Sequence, residues 1–316
     1  MAEKKFIVLC DGGLCNRLNA FLVAQHIAKA LKVNLSVAWP SNNWCQLPFG
    51  EVFDALPNIS SQTIGIQDLN AALPHYALLA HEQQTFSKPP LSNPNLAESW
   101  QFLVDSIENA LKHQTVIYFN ATIPWCCAID EISLAAKNLP WKASYRQQAQ
   151  AFLEAHQLQP FQFWGLHLRG TDFGHDSHYF QRWHKIIQFF SDPVVICTDD
   201  PDVRKIFLSN SKVLSRPINH FPKRLNADKG WNEPITDDQN RVFNFNVLRD
   251  ADSVKESIVD LLVLSQSKLH FTSNSTFLTF ALLMRGSDFS MSSRLLFWFR
   301  RVKQRIRLAK QKSSKK

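Results

Sequence analysis

The sequence predicts an α/β protein of two successive halves followed by a basic tail, and three observations carry that expectation. A strand, a glycine turn, a helix and a second strand follow one another at the N-terminus, the way an open parallel sheet begins. From Phe163 the same rhythm restarts more cleanly and runs to Met284. The 316 residues suit two domains, each of roughly 150 residues and large enough to bury a core.

The elements follow in order. Phe6 to Cys10 is an apolar strand closed by Asp11-Gly12-Gly13. Across residues 16–31, Leu18, Phe21, Leu22, Ala28 and Leu31 recur at helical spacing. Val33 to Trp39 reads as the second strand. Residues 40–100 are rich in Pro, Asn and Ser and read as loops and short helices. Val116 to Thr122 is a strand, with two helical stretches after it up to His156, and Gln157 to Pro160 reads as a linker. Then come a strand (Phe163 to Arg169), a helix (Tyr179 to Phe190), a strand (Val194 to Thr198), a helix (Asp202 to Leu208) and a strand (Lys212 to Ser215). A polar loop over 217–250 precedes the helix Ser253 to Ser265, the strand Leu269 to Thr272 and the helix Ser275 to Met284. Two Rossmann-like halves over 1–156 and 157–290 result, with no short internal repeat. A cleft between two such halves is a common ligand site.

Composition narrows the function. A hydrophobic content of 45% excludes a disordered chain. The net charge of +8 asks for an anionic partner. Its source is local: ten Lys or Arg and no acidic residue lie between Arg294 and Lys316, and the rest of the chain carries slightly more acid than base. In that tail Leu295, Phe299, Val302 and Ile306 recur at helical spacing. The pattern suits a helix on an anionic membrane surface, or a terminal helix packed on its own domain with solvated charges. Nucleic acid is not expected, because no recognised binding module accompanies the charge. No apolar run is long enough to span a membrane, and FIVLC is too short for a secretory signal. The cysteines at positions 10, 15, 45, 126, 127 and 197 form no C-x-x-C pair, which fits reduced thiols in the cytoplasm.

Four loops past strand ends carry the candidate chemistry, since open α/β sheets bind ligands there. In the first, Asp11 to Leu18, Gly12 and Gly13 let backbone N–H groups approach an anion at a helix start, or simply make a tight turn. In the second, His167-Leu168-Arg169-Gly170-Thr171-Asp172, His167 and Arg169 share a strand face, and a guanidinium in a cleft suits a phosphate. The third, Thr198-Asp199-Asp200-Pro201, also has the form of a helix N-cap. The fourth combines Asp260 on a helix with the hydroxyl-rich turn Thr272-Ser273-Asn274-Ser275-Thr276, which offers donors to a phosphate or caps a helix. The lone D-x-D, Asp250-Ala251-Asp252, reads as an N-cap region.

In combination these segments resemble the fucosyltransferase superfamily, which includes the α1,6, α1,2, nodulation and protein O-fucosyltransferases. The resemblance rests on GGLCNRL at 12–18, HLRGTD at 167–172, CTDDP at 197–201 and SIVDLLVLSQSKLHFTSNST at 257–276. It covers the N-terminal loop and most of 163–284, and 40–155 adds almost nothing to it. It implies a GT-B architecture, two Rossmann-like domains facing a cleft, with an acceptor side in the first and the donor held mainly by the second. It implies an inverting, metal-independent transfer of fucose or a related sugar from GDP-fucose or another GDP-sugar to a glycan acceptor, with no cofactor. Carried across, Arg169 binds the β-phosphate and stabilises the leaving GDP. His167 contacts the nucleotide, Asp260 reads guanine, and Ser275 and Thr276 hold phosphates. Gly13, Asn16 and Asp172 belong to the donor set, Asn16 also to the catalytic set with Arg169 and Asp176, and Asp199 and Asp200 lie near the nucleotide.

Two positions depart from the family pattern. Cys15 stands where a small residue is usual, and Gly170 stands where the α1,6 branch has a second arginine. The base that accepts the acceptor proton is open among Asp176, His175, His178 and Asp11, with Asp176 preferred. A non-catalytic nucleotide- or glycan-binding relative of the fold is the alternative. A cytoplasmic enzyme, peripheral at the inner membrane face through 294–316, is the expected setting.

Overall fold

The structure, a computed structural model, describes residues 5–56, 59–63, 76–80, 100–119, 123, 127, 129–171, 177–236, 242–243, 245–269 and 275–286. The chain divides into two compact units. One comprises Met1–Ser41, Pro48–Pro140 and Leu282–Lys316, and the other Asn42–Leu47 and Trp141–Ala281.

The first unit holds strands β1 (Phe6–Leu9), β2 (Leu35–Ala38), β3 (Ile59–Gln62), β4 (Tyr76–Ala80) and β5 (Thr115–Phe119). They form a parallel sheet in the order β3-β2-β1-β5-β4. Every residue of β1 and β5 is buried, as expected for central strands covered on both faces. Helices α1 (Leu14–Leu31), α2 (Phe49–Val52), α3 (Trp100–His113) and α4 (Ile129–Lys137) accompany the sheet. α1 stops where Lys32 turns left-handed at φ 55°, and the Val33 N–H closes on the Ala28 carbonyl at 3.0 Å. Phe21, Phe49 and Phe53 stack around one another with Trp39, and each buried ring contributes about 1.5–3 kcal/mol. Over 40–100 the short helix α2 agrees with the expected loops and short helices, while β3 and β4 are strands not expected there. β3 is the sequence ISSQ on a sheet edge, with three of its residues exposed, so it carries no apolar alternation to read.

The second unit holds β6 (Trp164–Leu168), β7 (Val194–Thr198), β8 (Val213–Leu214) and β11 (Lys268–Leu269), parallel in the order β11-β6-β7-β8. A short antiparallel pair, β9 (Ile235–Thr236) and β10 (Val242–Phe243), sits inside the expected polar loop. Its helices are α5 (Ala143–Ala155), α6 (Ser177–Ile187), α7 (Pro201–Leu208) and α8 (Ala251–Ser265), and α9 (Thr276–Leu283) follows β11. α5 lies against α8, so the chain enters this unit at Trp141, ahead of the boundary expected at residue 157. Gln157 to Pro160 therefore lies inside this unit, just past the end of α5. Gln157 is left-handed at φ 52°, the Leu158 N–H closes on the Leu153 carbonyl at 2.8 Å, and Leu158 is buried.

In both sheets the strand order reverses beside a predicted loop. In the first the reversal lies between β1 and β5, next to Asp11–Gly13, and in the second between β6 and β11, next to His167 and Arg169. Such switch points open crevices at the carboxyl ends of strands. Among the described residues no helix is long and apolar enough to cross a membrane.

Candidate functional site

The glycine loop of the first unit is shaped by a buried arginine. Gly12 has φ +84°, a conformation that favours glycine. The Asp11 carboxylate accepts from the Gly12 N–H at 2.6 Å. Arg17 is wholly buried and donates to the carbonyls of Gly12 and Pro40, both at 2.6 Å, with its guanidinium 5.1 Å from the Trp39 ring. Gly13 is the N-cap of α1 with no side-chain cap, and no acidic residue occupies the first turn. The Asn16 Oδ1 is buried with no hydrogen-bond partner among the described residues. An uncapped helix start beside an amide oxygen open to a donor is a chemically competent place for a polar ligand. Arg17, inside GGLCNRL, carries no expected role of its own. Its signal was its spacing: it lies three residues after Leu14 and four before Phe21, on the buried face of α1.

In the second unit β6 sorts its side chains by parity. Leu166 and Leu168 enter a core with Phe180, Trp183, Ile187, Val203 and Phe207. His167, of opposite parity, is buried and stacks on Phe277 with centroids 4.6 Å apart and planes 20° from parallel. Arg169 follows just past the strand and is half-buried. The register pairs His167 with Cys197 and Leu168 with Thr198, which carries the residues after β6 alongside Asp199.

Asp199 clamps the loop that follows Arg169. Its Oδ1 accepts from the Gly170 N–H at 2.8 Å and the Thr171 N–H at 3.4 Å, and its Oδ2 accepts from the Thr171 hydroxyl. Asp200 caps α7, accepting from the Asp202 and Val203 N–H groups at 2.8 and 3.3 Å. Burial pushes the Asp200 carboxyl up, against the pull of those two N–H groups. Both carboxylates expected near the nucleotide are thus engaged by the protein, one as a loop clamp and the other as a cap. Gly170 also has its physical reason: an added Cβ would lie 2.3 Å from the Asp200 Cβ. A second arginine at this position would collide with the cap.

Asp260 was expected to read a base, and here its carboxylate faces a cation. Arg216 Nε donates to Asp260 Oδ1 at 3.0 Å, its Nη1 reaches Glu256 Oε2 at 2.5 Å, and its Nη2 donates to the Glu256 carbonyl at 2.9 Å. Burial pushes the Asp260 carboxyl up to about 6; Arg216 opposes the shift and Glu256 adds to it. Burial works against the Arg216 charge too, but Asp260 and Glu256 outweigh it and raise its pKa. The buried Asp260 and the half-buried Glu256 around one guanidinium form an ion cluster on α8. Ser275 Oγ likewise accepts from the Phe277 N–H at 3.1 Å, a cap on α9, while Thr276 is the half-buried first residue of that helix.

Asp172, His175 and Asp176 lie outside the described residues, as do Thr272 to Asn274 and the tail from 294 to 316. His178 is exposed on α6. Asp250 caps α8, accepting from the Ser253 N–H at 2.9 Å, as read for the D-x-D segment. Among the described residues no three His, Cys, Asp or Glu side chains are grouped to hold a metal ion. The described cysteines are buried and unlinked.

The fold that these parallel sheets define is shared with fucosyltransferases of GT-B type. The fucosyltransferase NodZ from Bradyrhizobium is similar at a TM-score of 0.53 and 15% identity, over 90% of this chain and 94% of its own. A NodZ α-1,6-fucosyltransferase crystallised with GDP is similar at 0.53 and 13% identity, over 90% and 93% of the two chains. The same enzyme soaked with GDP-fucose gives 0.51 and 14%, over 89% and 93%. No protein-family model and no curated protein matches the sequence.

Proposed function

We propose that this protein is a glycosyltransferase that moves fucose, or a closely related sugar, from a GDP-sugar to a glycan acceptor. The observation that carries this reading is Arg169, set at a sheet switch point on a loop clamped by Asp199, in a fold shared with fucosyltransferases.

The chemistry asked of the site is an inverting displacement. The acceptor oxygen bonds to the sugar C1 as the bond from C1 to the β-phosphate oxygen breaks, and the electron pair leaves with GDP. Negative charge grows on the diphosphate, where the Arg169 guanidinium stabilises it without a metal. The acceptor proton passes to a carboxylate, for which Asp176 remains the proposed base. His167, stacked on Phe277, has a fixed ring plane for contact with the nucleotide. Gly13 and Asn16 remain proposed donor-contact residues, at the uncapped start of α1. Asp199, Asp200 and Ser275 act through the loops and helix ends that they hold, and Asp260 through its pairing with Arg216.

Incubation with GDP-fucose tests the reading, with release of GDP as the expected result. Bound but unreleased nucleotide marks the non-catalytic relative. We place the enzyme in the cytoplasm, with the tail from Arg294 to Lys316 on an anionic membrane, each basic residue near the surface being worth about 1 kcal/mol. The chain should co-sediment with vesicles containing phosphatidylserine and lose that binding when 294–316 is removed. Equal sedimentation with neutral vesicles, or binding that survives the deletion, contradicts the membrane role.

A further inference from the structure

The clamp on the Arg169 loop has a second layer. Arg249 Nη2 lies 3.3 Å from Thr171 Oγ1 and 3.4 Å from Asp199 Oδ2, so its charge sits on the carboxylate oxygen that also takes the Thr171 hydroxyl. These contacts join positions 78 and 50 residues apart. Both Arg249 and Asp199 are mostly buried, at 13% and 15% side-chain exposure, which makes their attraction stronger than that of a surface pair.

Arg249 is itself held by a short piece of chain from far upstream. Residues Asn42–Leu47 belong to the second unit although the chain on both sides of them belongs to the first. The Arg249 N–H donates to the Asn43 carbonyl at 2.8 Å, and its own carbonyl accepts from the Gln46 N–H at 3.1 Å. The piece is a tight turn: Asn42 and Cys45 bridge one another, the Asn42 side chain accepts from the Trp44 N–H at 3.1 Å, and Cys45 is buried. Trp44 lies 5.8 Å from the Arg249 guanidinium and meets the edge of Phe245 at 5.4 Å. Downstream, Asp250 caps α8 and binds Lys223 at 2.8 Å. The Arg249 backbone is therefore fixed from both sides, and its side chain spans to the loop.

We infer that Arg249, seated on the 42–47 turn, is a positioning residue that sets the aim of Arg169 through Asp199 and Thr171. The inference deepens the proposed function and rests on it for its catalytic consequence. Its physical basis is preorganisation: a guanidinium that must meet developing charge needs its loop fixed beforehand, and a misplacement on the order of 1 Å costs ~10²-fold in rate.

Two measurements on the full chain test it. In the first, hydrogen exchange is followed at the Gly170 and Thr171 amides, the donors to Asp199, and no substrate is required. Arg249→Met should speed exchange at these amides while the amides of β6 and β7 stay as protected as in the parent; Arg249→Lys should restore part of the protection. Unchanged exchange in Arg249→Met overturns the inference, as does an equal rise throughout β6 and β7. In the second, turnover of GDP-fucose should fall on the order of 10- to 100-fold in kcat for Arg249→Met with KM near the parent value. Combining Arg249→Met with Asp199→Asn should cost little more than Asp199→Asn alone, because both act through one clamp. Fully multiplicative losses contradict the shared route. A parent that neither binds nor turns over any GDP-sugar, with the exchange result intact, refutes the function and leaves the clamp standing.

Discussion

Arg169→Ala is expected to lower release of GDP from GDP-fucose by about 10²- to 10³-fold, the usual cost of removing one preorganised donor from developing negative charge. The loss should fall mainly on kcat, since the diphosphate gains charge only as the C1 bond breaks. The fold should tolerate the change. Arg169 lies past the end of β6 and half-exposed, whereas the strand is held by Leu166 and Leu168 in the core. Its loop is held by Asp199 through the backbone of Gly170 and Thr171, contacts that do not use the Arg169 side chain. A melting temperature near the parent value with a large loss of kcat is the expected pair of results. Activity within a few-fold of the parent removes Arg169 from the mechanism.

Arg216→Leu carries the largest expected effect on stability. It leaves the Asp260 and Glu256 carboxylates close together without the guanidinium between them, at 8% and 15% side-chain exposure. Breaking a buried ion pair by deleting one partner costs about 3–5 kcal/mol, because the remaining charge stays desolvated. Arg216 also ties α8 to the chain after β8: its Nη2 donates to the Glu256 carbonyl, and its own carbonyl accepts from Arg204 at 3.0 Å. Urea unfolding of parent and variant measures the difference. A loss below about 1 kcal/mol is the value of an exposed pair and contradicts a buried cluster.

These two arginines differ in how far the sequence reveals them. Arg169 is legible because it interrupts an apolar strand at its carboxyl end, and Leu166, His167 and Leu168 alternate there as a strand requires. Arg216 sits between Ser215 and Pro217 with no periodic pattern around it, and its partners lie 40 and 44 residues away. Asp199 looked like part of a ligand loop, yet its role depends on β6–β7 register, which carries Gly170 and Thr171 beside it. The cap at Asp200 was legible, because an N-cap acts on its own next turn. The entry into the second unit at Trp141 has no local mark, whereas the left-handed helix end at Gln157 has the polar composition of a linker. Asn42–Leu47 was opaque for a related reason: its six residues fold onto Arg249, some two hundred positions downstream, and nothing local marks that transfer.

In the proposed reaction, this fold, with Arg169 at its switch point, breaks the bond between a sugar and GDP. The most direct test is the release of nucleotide from GDP-fucose, measured beside GDP-mannose and a UDP-linked sugar, with and without a glycan acceptor and with EDTA present throughout. GDP release is expected from GDP-fucose or a related GDP-sugar, with none from the UDP-sugar and a rate that EDTA leaves unchanged. Release from the UDP-sugar at an equal rate, or none from any GDP-sugar, contradicts the proposed reaction.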